Sequence, residues 1–205
     1  MSKASGFFRE LLSWIVYLVL WMGVIFAIYH WVAQPFQVDG SSMEHTLENG
    51  QKLWMVKLAS IDRFDVVIFP EPMPAQGEKP RLYVKRVIGM PGDTIEVRND
   101  QLVINGQAME EPYLKQKATE YFQEKGDVFT QDFSLEALTG QATVPEGKLF
   151  VMGDNRRNSL DGRAFGFINA EDVLGEADFI YWPLSDMGLL KNYELNEAGT
   201  AIINP

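Results

Sequence analysis

Cysteine is absent from the 205 residues, and histidine occurs only at His30 and His45. The first absence excludes disulfides, thiolate nucleophiles and thiolate metal sites together, and it fits an extracytoplasmic bacterial domain that folds without oxidation. The second leaves too few imidazoles for a histidine-rich metal centre. Basic residues are also in short supply: 18 Lys and Arg face 28 Asp and Glu, giving a net charge of -10. A general nucleic-acid binder needs clustered cations to displace phosphate counterions, so nucleic acid is not expected as a partner. Membrane-length apolar runs are absent as well, with one exception near the N-terminus.

That exception is Leu11 to Ala33, which carries no ionisable charge beyond His30. At ~1.5 Å per helical residue it spans roughly 34 Å, enough for a hydrocarbon core of ~30 Å. A cleaved signal peptide is the competing reading. Its apolar region would run ~7–15 residues to a small-residue cleavage site, whereas Trp31, Gln34, Pro35 and Phe36 follow here. A retained anchor at 11–33 is therefore expected. Lys3 and Arg9 precede the run, while Gln34 to Gln51 contains Asp39, Glu44 and Glu48 and no Lys or Arg. The positive-inside rule then puts residues 1–10 in the cytoplasm and 34–205 outside.

Beyond the anchor, short β-type runs dominate: Lys52–Leu58, Asp65–Phe69, Leu82–Ile88, Thr94–Arg98, Leu102–Ile104, Leu149–Met152 and Asp178–Trp182. Gly-, Pro- and Asp-rich segments separate them, which predicts a mostly β domain. Two runs flanking Asn99-Asp100-Gln101 read as a hairpin. The polar stretch 107–143 reads as a small inserted subdomain, and the tail from Glu194 as a frayed end.

Three segments carry the chemistry: Val38-Asp39-Gly40-Ser41-Ser42-Met43-Glu44-His45-Thr46-Leu47, Tyr83-Val84-Lys85-Arg86-Val87-Ile88-Gly89-Met90-Pro91-Gly92-Asp93, and Gly153-Asp154-Asn155-Arg156-Arg157-Asn158-Ser159-Leu160-Asp161-Gly162-Arg163. A serine hydroxyl needs a base to take its proton during attack, and a lysine can do so only when neutral. A solvated lysine titrates at ~10.4 and is only about 0.04% neutral at pH 7, whereas burial can lower that value by ~3–5 units. Alternation along a strand puts Tyr83, Lys85 and Val87 on one face and Leu82, Val84, Arg86 and Ile88 on the other, which allows an apolar-walled Lys85. Taken singly, Ser42 reads as a turn hydroxyl or helix cap and Lys85 as a solvated or ion-paired strand lysine.

In order and spacing the three segments, with Arg63-Phe64-Asp65-Val66-Val67-Ile68-Phe69, resemble the boxes of bacterial type I signal peptidases, membrane-bound enzymes that remove signal peptides from exported precursors. The single anchor is similar to the Gram-positive form. The resemblance implies a signal-peptidase-like β fold, Ser42 as nucleophile and Lys85 as general base, with no cofactor. It implies that the Ser42 N–H serves the oxyanion hole, that Ser159 orients the lysine, and that Asp161 and Arg163 pair to hold the loop. Phe36, Val38, Met43, Tyr83 and Val84 match positions expected to bind substrate. The implied partners are signal-peptide-bearing precursors and membrane lipid, with the secretion translocon as a further candidate.

Three positions depart from the pattern. Gly40 stands where Gram-negative relatives supply an oxyanion-hole serine hydroxyl, which leaves the second donor unassigned. His45 replaces a proline common before Thr46-Leu47, removing a φ restraint, and invites a Ser42–His45 pair for which the sequence specifies no orienting carboxylate. Arg157 occupies a commonly acidic position. Two other functions stay open at this level: a noncatalytic assembly factor for surface proteins or pili, which intact Ser42 and Lys85 disfavour, and a serine–lysine autoprotease of the SOS-repressor type, which the anchor disfavours.

Overall fold

The computed structural model describes residues 2–204, with side chains from Gly6 onward. Met1, Pro205 and the side chain of Lys3, all part of the expected topology, lie outside that description. The chain opens with α1 (Ser2–Ala27), which runs on as a single π-helical stretch, Ile28–Val32. Within it Gly6–Val32 forms a continuous apolar helix of 27 residues. Apart from Gly6 and Ala27, these side chains are exposed, as befits a helix whose apolar surface has no protein partner. The helix takes in residues 2–10, so the expected cytoplasmic stretch is continuous with the anchor.

The body is built of β1 (Ala33–Gln37), β2 (Lys52–Val56), β3 (Val66–Pro70), β4 (Leu82–Gly89), β5 (Ile95–Arg98), β6 (Gln101–Ile104) and β7 (Gln107–Met109), then α2 (Lys115–Lys125), β8 (Phe133–Ser134) and α3 (Leu135–Thr139). There follow β9 (Lys148–Met152), α4 (Gly162–Phe165), β10 (Ile168–Asn169), β11 (Gly175–Trp182), β12 (Gly188–Leu189), β13 (Glu194–Leu195) and β14 (Ile202–Ile203). The large sheet has the order β1-β2-β11-β3-β4-β9-β10, with β12 added to β11. Its neighbouring strands are antiparallel.

Strand alternation separates two apolar layers on this sheet. Val66, Ile68 and Val84 join Val38, Met43, Leu47 and Leu53 in one core. Val67, Phe69 and Val87 join Leu149, Val151 and Ile168 in another. A third core lies where Phe64, Ile88, Phe150 and Met152 meet the smaller sheet β7-β6-β5-β8 through Ile95, Val97, Leu102, Ile104 and Met109.

The start of the small subdomain and the form of the tail differ from the sequence reading. The smaller sheet begins at Ile95, so residues 107–109 and 133–134 extend the preceding hairpin; a short strand such as β7 has too little apolar pattern to announce itself. The tail does not fray: β13 and β14 pair, and Ile202 is buried in the third core. One apolar residue anchoring a two-residue strand is a weak sequence signal. The hairpin itself turns on Asn99 and Asp100 alone, both in the left-handed region at φ 50 and 64, while Gln101 pairs with Arg98. Asn and Asp tolerate that region best among non-glycine residues.

Candidate active site

Ser42 lies in the turn after β1. Apolar side chains pin that turn from beneath: Val38, Met43 and Leu47 are buried in the sheet core. Backbone hydrogen bonds close its base, from Val38 N–H to the Gln51 carbonyl and from Gly50 N–H to the Val38 carbonyl, both at 2.9 Å. Gly40 supplies a φ of +96 that other residues rarely adopt. Val38 and Met43, expected to bind substrate, are buried plugs in the sheet core and do not line the cleft that holds Ser42.

Lys85 arrives from β4, in register with Val67 of β3. Its Nζ lies 2.7 Å from Ser42 Oγ and 2.9 Å from the Val84 carbonyl oxygen, and 5.1 Å from the Tyr83 ring centre. The side chain is only 3% exposed. Burial pushes its pKa down to about 8, although the carboxylates of Asp161 and Asp154 pull the other way. Ser42 and Lys85 share a cleft of about 160 Å³ with Phe36, Asp39, Leu82, Tyr83, Val84 and Leu160. Of the expected substrate residues, Phe36, Tyr83 and Val84 do line this cleft. Asp39, Leu82 and Leu160 are additional, and Asp39 is the single carboxylate among them.

The segment after β9 runs directly against the Ser42 turn. Asn155 N–H donates to the Ser42 carbonyl at 3.0 Å, Asn155 Nδ2 to the Ser41 carbonyl at 2.9 Å, and Asn158 Nδ2 to Ser41 Oγ at 2.8 Å. Asp154 accepts from Arg86 Nε and Nη2 at 3.0 and 2.6 Å and from the Thr46 hydroxyl, tying both neighbouring segments to one buried carboxylate. The sequence motifs contained these residues without disclosing their roles, since a hydrogen bond spanning over a hundred residues leaves no local pattern.

Asp161 and Arg163 form the expected pair, with Arg163 Nε and Nη2 donating at 2.9 and 2.8 Å. Burial raises the Asp161 pKa, but Arg163, the Gly153 N–H and, least of these, the Ser159 hydroxyl dipole outweigh it and leave the carboxyl below its ordinary value. Ser159, expected to hydrogen-bond or orient Lys85, has a buried Oγ that makes no hydrogen bond to any described residue. It packs instead against Gly153, where a methyl group would lie 2.1 Å from Ser159 Oγ and 2.5 Å from the Ser42 carbonyl oxygen.

Among the described residues, no protein acceptor takes the Ser42 N–H. The Gly40 N–H, by contrast, is engaged by Asn49 Oδ1 at 2.9 Å and is not available to a second ligand in this arrangement. His45 faces Glu120 Oε2 at 3.1 Å and Glu48 Oε1 at 3.6 Å, with no hydrogen bond to Ser42. No group of three or more potential metal ligands occurs among the described residues.

With this geometry in place, comparison with known proteins is decisive. The family profile described as signal peptidase, peptidase S26, matches residues 11–182. The chain belongs to that family. It is 41% identical over 164 residues to signal peptidase I of Bacillus caldolyticus, covering 78% of this chain and 85% of the relative. It is 33% identical over 200 residues to signal peptidase IB of Staphylococcus aureus, covering 94% and 98% respectively. The crystal structure of a signal peptidase I from Enterococcus faecalis superposes with a TM-score of 0.51 at 42% identity, covering 58% of this chain and 97% of that one. The activity is that of a type I signal peptidase, a serine endopeptidase that removes signal peptides. The apolar N-terminal helix makes it a membrane-anchored member.

Proposed function

We propose that Ser42 and Lys85 are the catalytic dyad of this peptidase, a reading carried by the 2.7 Å approach of a buried lysine to a turn serine. With its pKa near 8, about 10% of Lys85 is neutral at pH 7, against about 0.04% for an ordinary lysine. Neutral Nζ takes the Ser42 proton as Oγ attacks the scissile carbonyl. The Ser42 N–H points to the developing oxyanion. The resulting Lys85 ammonium gives its proton to the leaving nitrogen, the C–N bond breaks, and an acyl ester remains on Ser42. Water then attacks the ester, passing a proton to Lys85, which returns it to Oγ as the acid product leaves.

The cleft of about 160 Å³ has room for small side chains next to the cut. An extended precursor segment fits beside the sheet by strand addition. The N-terminus lies in the cytoplasm and the body outside, so enzyme, lipid-embedded precursor and translocon meet at one membrane face. The test is cleavage of a synthetic precursor peptide by wild type, Ser42→Ala and Lys85→Ala, each checked for folding by circular dichroism. Both variants should lose at least about 10³-fold in kcat, and wild-type kcat/KM should rise as pH passes through about 8. Normal cleavage by either folded variant removes the dyad.

A further inference from the structure

The helix α2, 11 residues long, has no buried residue. Hollows of about 420 and 320 Å³ lie along it, the first against Gln101, Met109 and Phe129, the second against Tyr113, Ile180 and Leu190. Buried Leu114 and Phe129 fix the two ends of the segment that carries it. Between them, polar contacts hold the helix, and they fall on the two segments that build the active site.

From α2, Lys117 Nζ reaches Glu44 Oε2 at 3.5 Å, and Glu120 Oε2 meets His45 Nε2 at 3.1 Å. Gln116 donates to the other oxygen of Glu120 at 2.9 Å and fixes that carboxylate toward the turn. Glu44 also accepts from Asn155 Nδ2 at 3.5 Å, the same amide that holds the Ser41 carbonyl. Arg157 lies 5.0 Å from the Tyr121 ring centre and pairs with Asp127 at 3.5 Å, just past the helix end. His45 and Arg157, the two side-chain departures noted in the sequence, thus both face this one segment.

We infer that α2 is a strap that positions the nucleophile turn from behind, with Lys117, Glu120, His45 and Glu44 as positioning residues for Ser42. No α2 residue lines the cleft that contains Ser42, so the strap acts on the turn and not on substrate. Losing a tether leaves the apolar plugs Val38, Met43 and Leu47 in place and lets the Ser41–Ser42 backbone drift from Lys85. A displacement of about 1 Å at a reacting atom costs up to ~10²-fold in rate. The tethers are partly exposed, and each partly exposed pair contributes modestly, so the expected loss per tether is smaller.

The inference rests on Ser42 being the nucleophile, and the experiment separates the two. Full-length protein in detergent is assayed on a precursor peptide as wild type, Ser42→Ala, Glu44→Lys, Lys117→Glu, the Glu44→Lys/Lys117→Glu double swap, and His45→Ala. Loss of a tether should lower kcat about 3- to 10-fold with KM unchanged, and the double swap should recover most of the loss. Unaltered kcat in all the folded single variants, a change confined to KM, or a double swap no better than the singles overturns the strap. Cleavage by Ser42→Ala overturns the underlying reading instead.

Discussion

Burying a lysine amine within hydrogen-bond reach of a hydroxyl favours catalysis and disfavours folding. Keeping Lys85 at about 8 instead of its ordinary 10.5 costs on the order of 3 kcal/mol at neutral pH. The sign follows from proton counts: between about 8 and 10.5 the unfolded chain binds the proton that the folded chain has lost. Stability therefore rises with pH across that window, and the full penalty applies below it. Lys85→Met, which fills the same space without charge, should stabilise the fold by about 1–3 kcal/mol at pH 7. The gain should shrink toward pH 10, where folded wild-type Lys85 is neutral and most of the penalty has gone. Thermal denaturation of both proteins at the two pH values measures this. Equal stability at pH 7 would mean that Asp161 and Asp154 already offset the burial. Asp161 is the residue best placed to do so: Arg163 keeps it charged in the interior, so a negative group stands ready when Lys85 becomes an ammonium.

At the scale of elements, the site depends on how closely the end of β9 approaches the Ser42 turn. Gly153 is a contact glycine, not a left-handed one, and Gly153→Ala puts a methyl group 2.5 Å from the Ser42 carbonyl oxygen and 2.1 Å from Ser159 Oγ. The expected outcome is a loss of about 1–3 kcal/mol from overpacking, together with a fall in kcat well beyond that of a surface substitution, because the Asn155-to-Ser42 hydrogen bond must shift. Chemical denaturation and a kcat measurement on one preparation test both, and wild-type kcat would show that the turn tolerates displacement. The same approach explains which features could be read from the chain alone. In the large sheet β2, β3, β4, β9 and the second half of β11 follow from apolar runs and turn residues, whereas β1, β10 and β12 carry no such run; Ser42, Lys85, Asp161 and Arg163 follow from the resemblance of their segments to the signal peptidase boxes. The burial of Val38 and Met43, the unbonded Ser159 and the engaged Gly40 amide depend on which way a turn faces. That is decided by contacts with Asn155, Asn49 and the sheet core, all distant in sequence. Asp154 and Arg86 were visible as letters, but only the fold shows that each neutralises the other.

On the scale of the whole molecule, anchor and catalytic body are separate in packing. Among the described residues, the three apolar cores use none before Phe36. The anchor meets the body through β1 and through Lys57, whose N–H donates to the Val32 carbonyl at 2.9 Å and whose Nζ reaches the His30 carbonyl at 3.0 Å. Removing residues 2–32 breaks these few hydrogen bonds and leaves every core intact, so the remaining chain should fold and keep kcat/KM on a water-soluble precursor peptide within about threefold. The anchor is expected to contribute instead to encounter. A precursor whose apolar helix shares the bilayer searches for the enzyme within a surface, which raises its effective concentration without any added contact. The truncated protein should thus lose at least about tenfold in rate on a precursor reconstituted in vesicles while retaining its rate on the free peptide. Parallel assays of the two substrates decide it. An equal loss on both would place the anchor within the catalytic architecture, acting through β1 on the cleft that Phe36 lines. Loss on the vesicle substrate alone would assign the anchor to bringing Ser42 and its precursor onto the same membrane face.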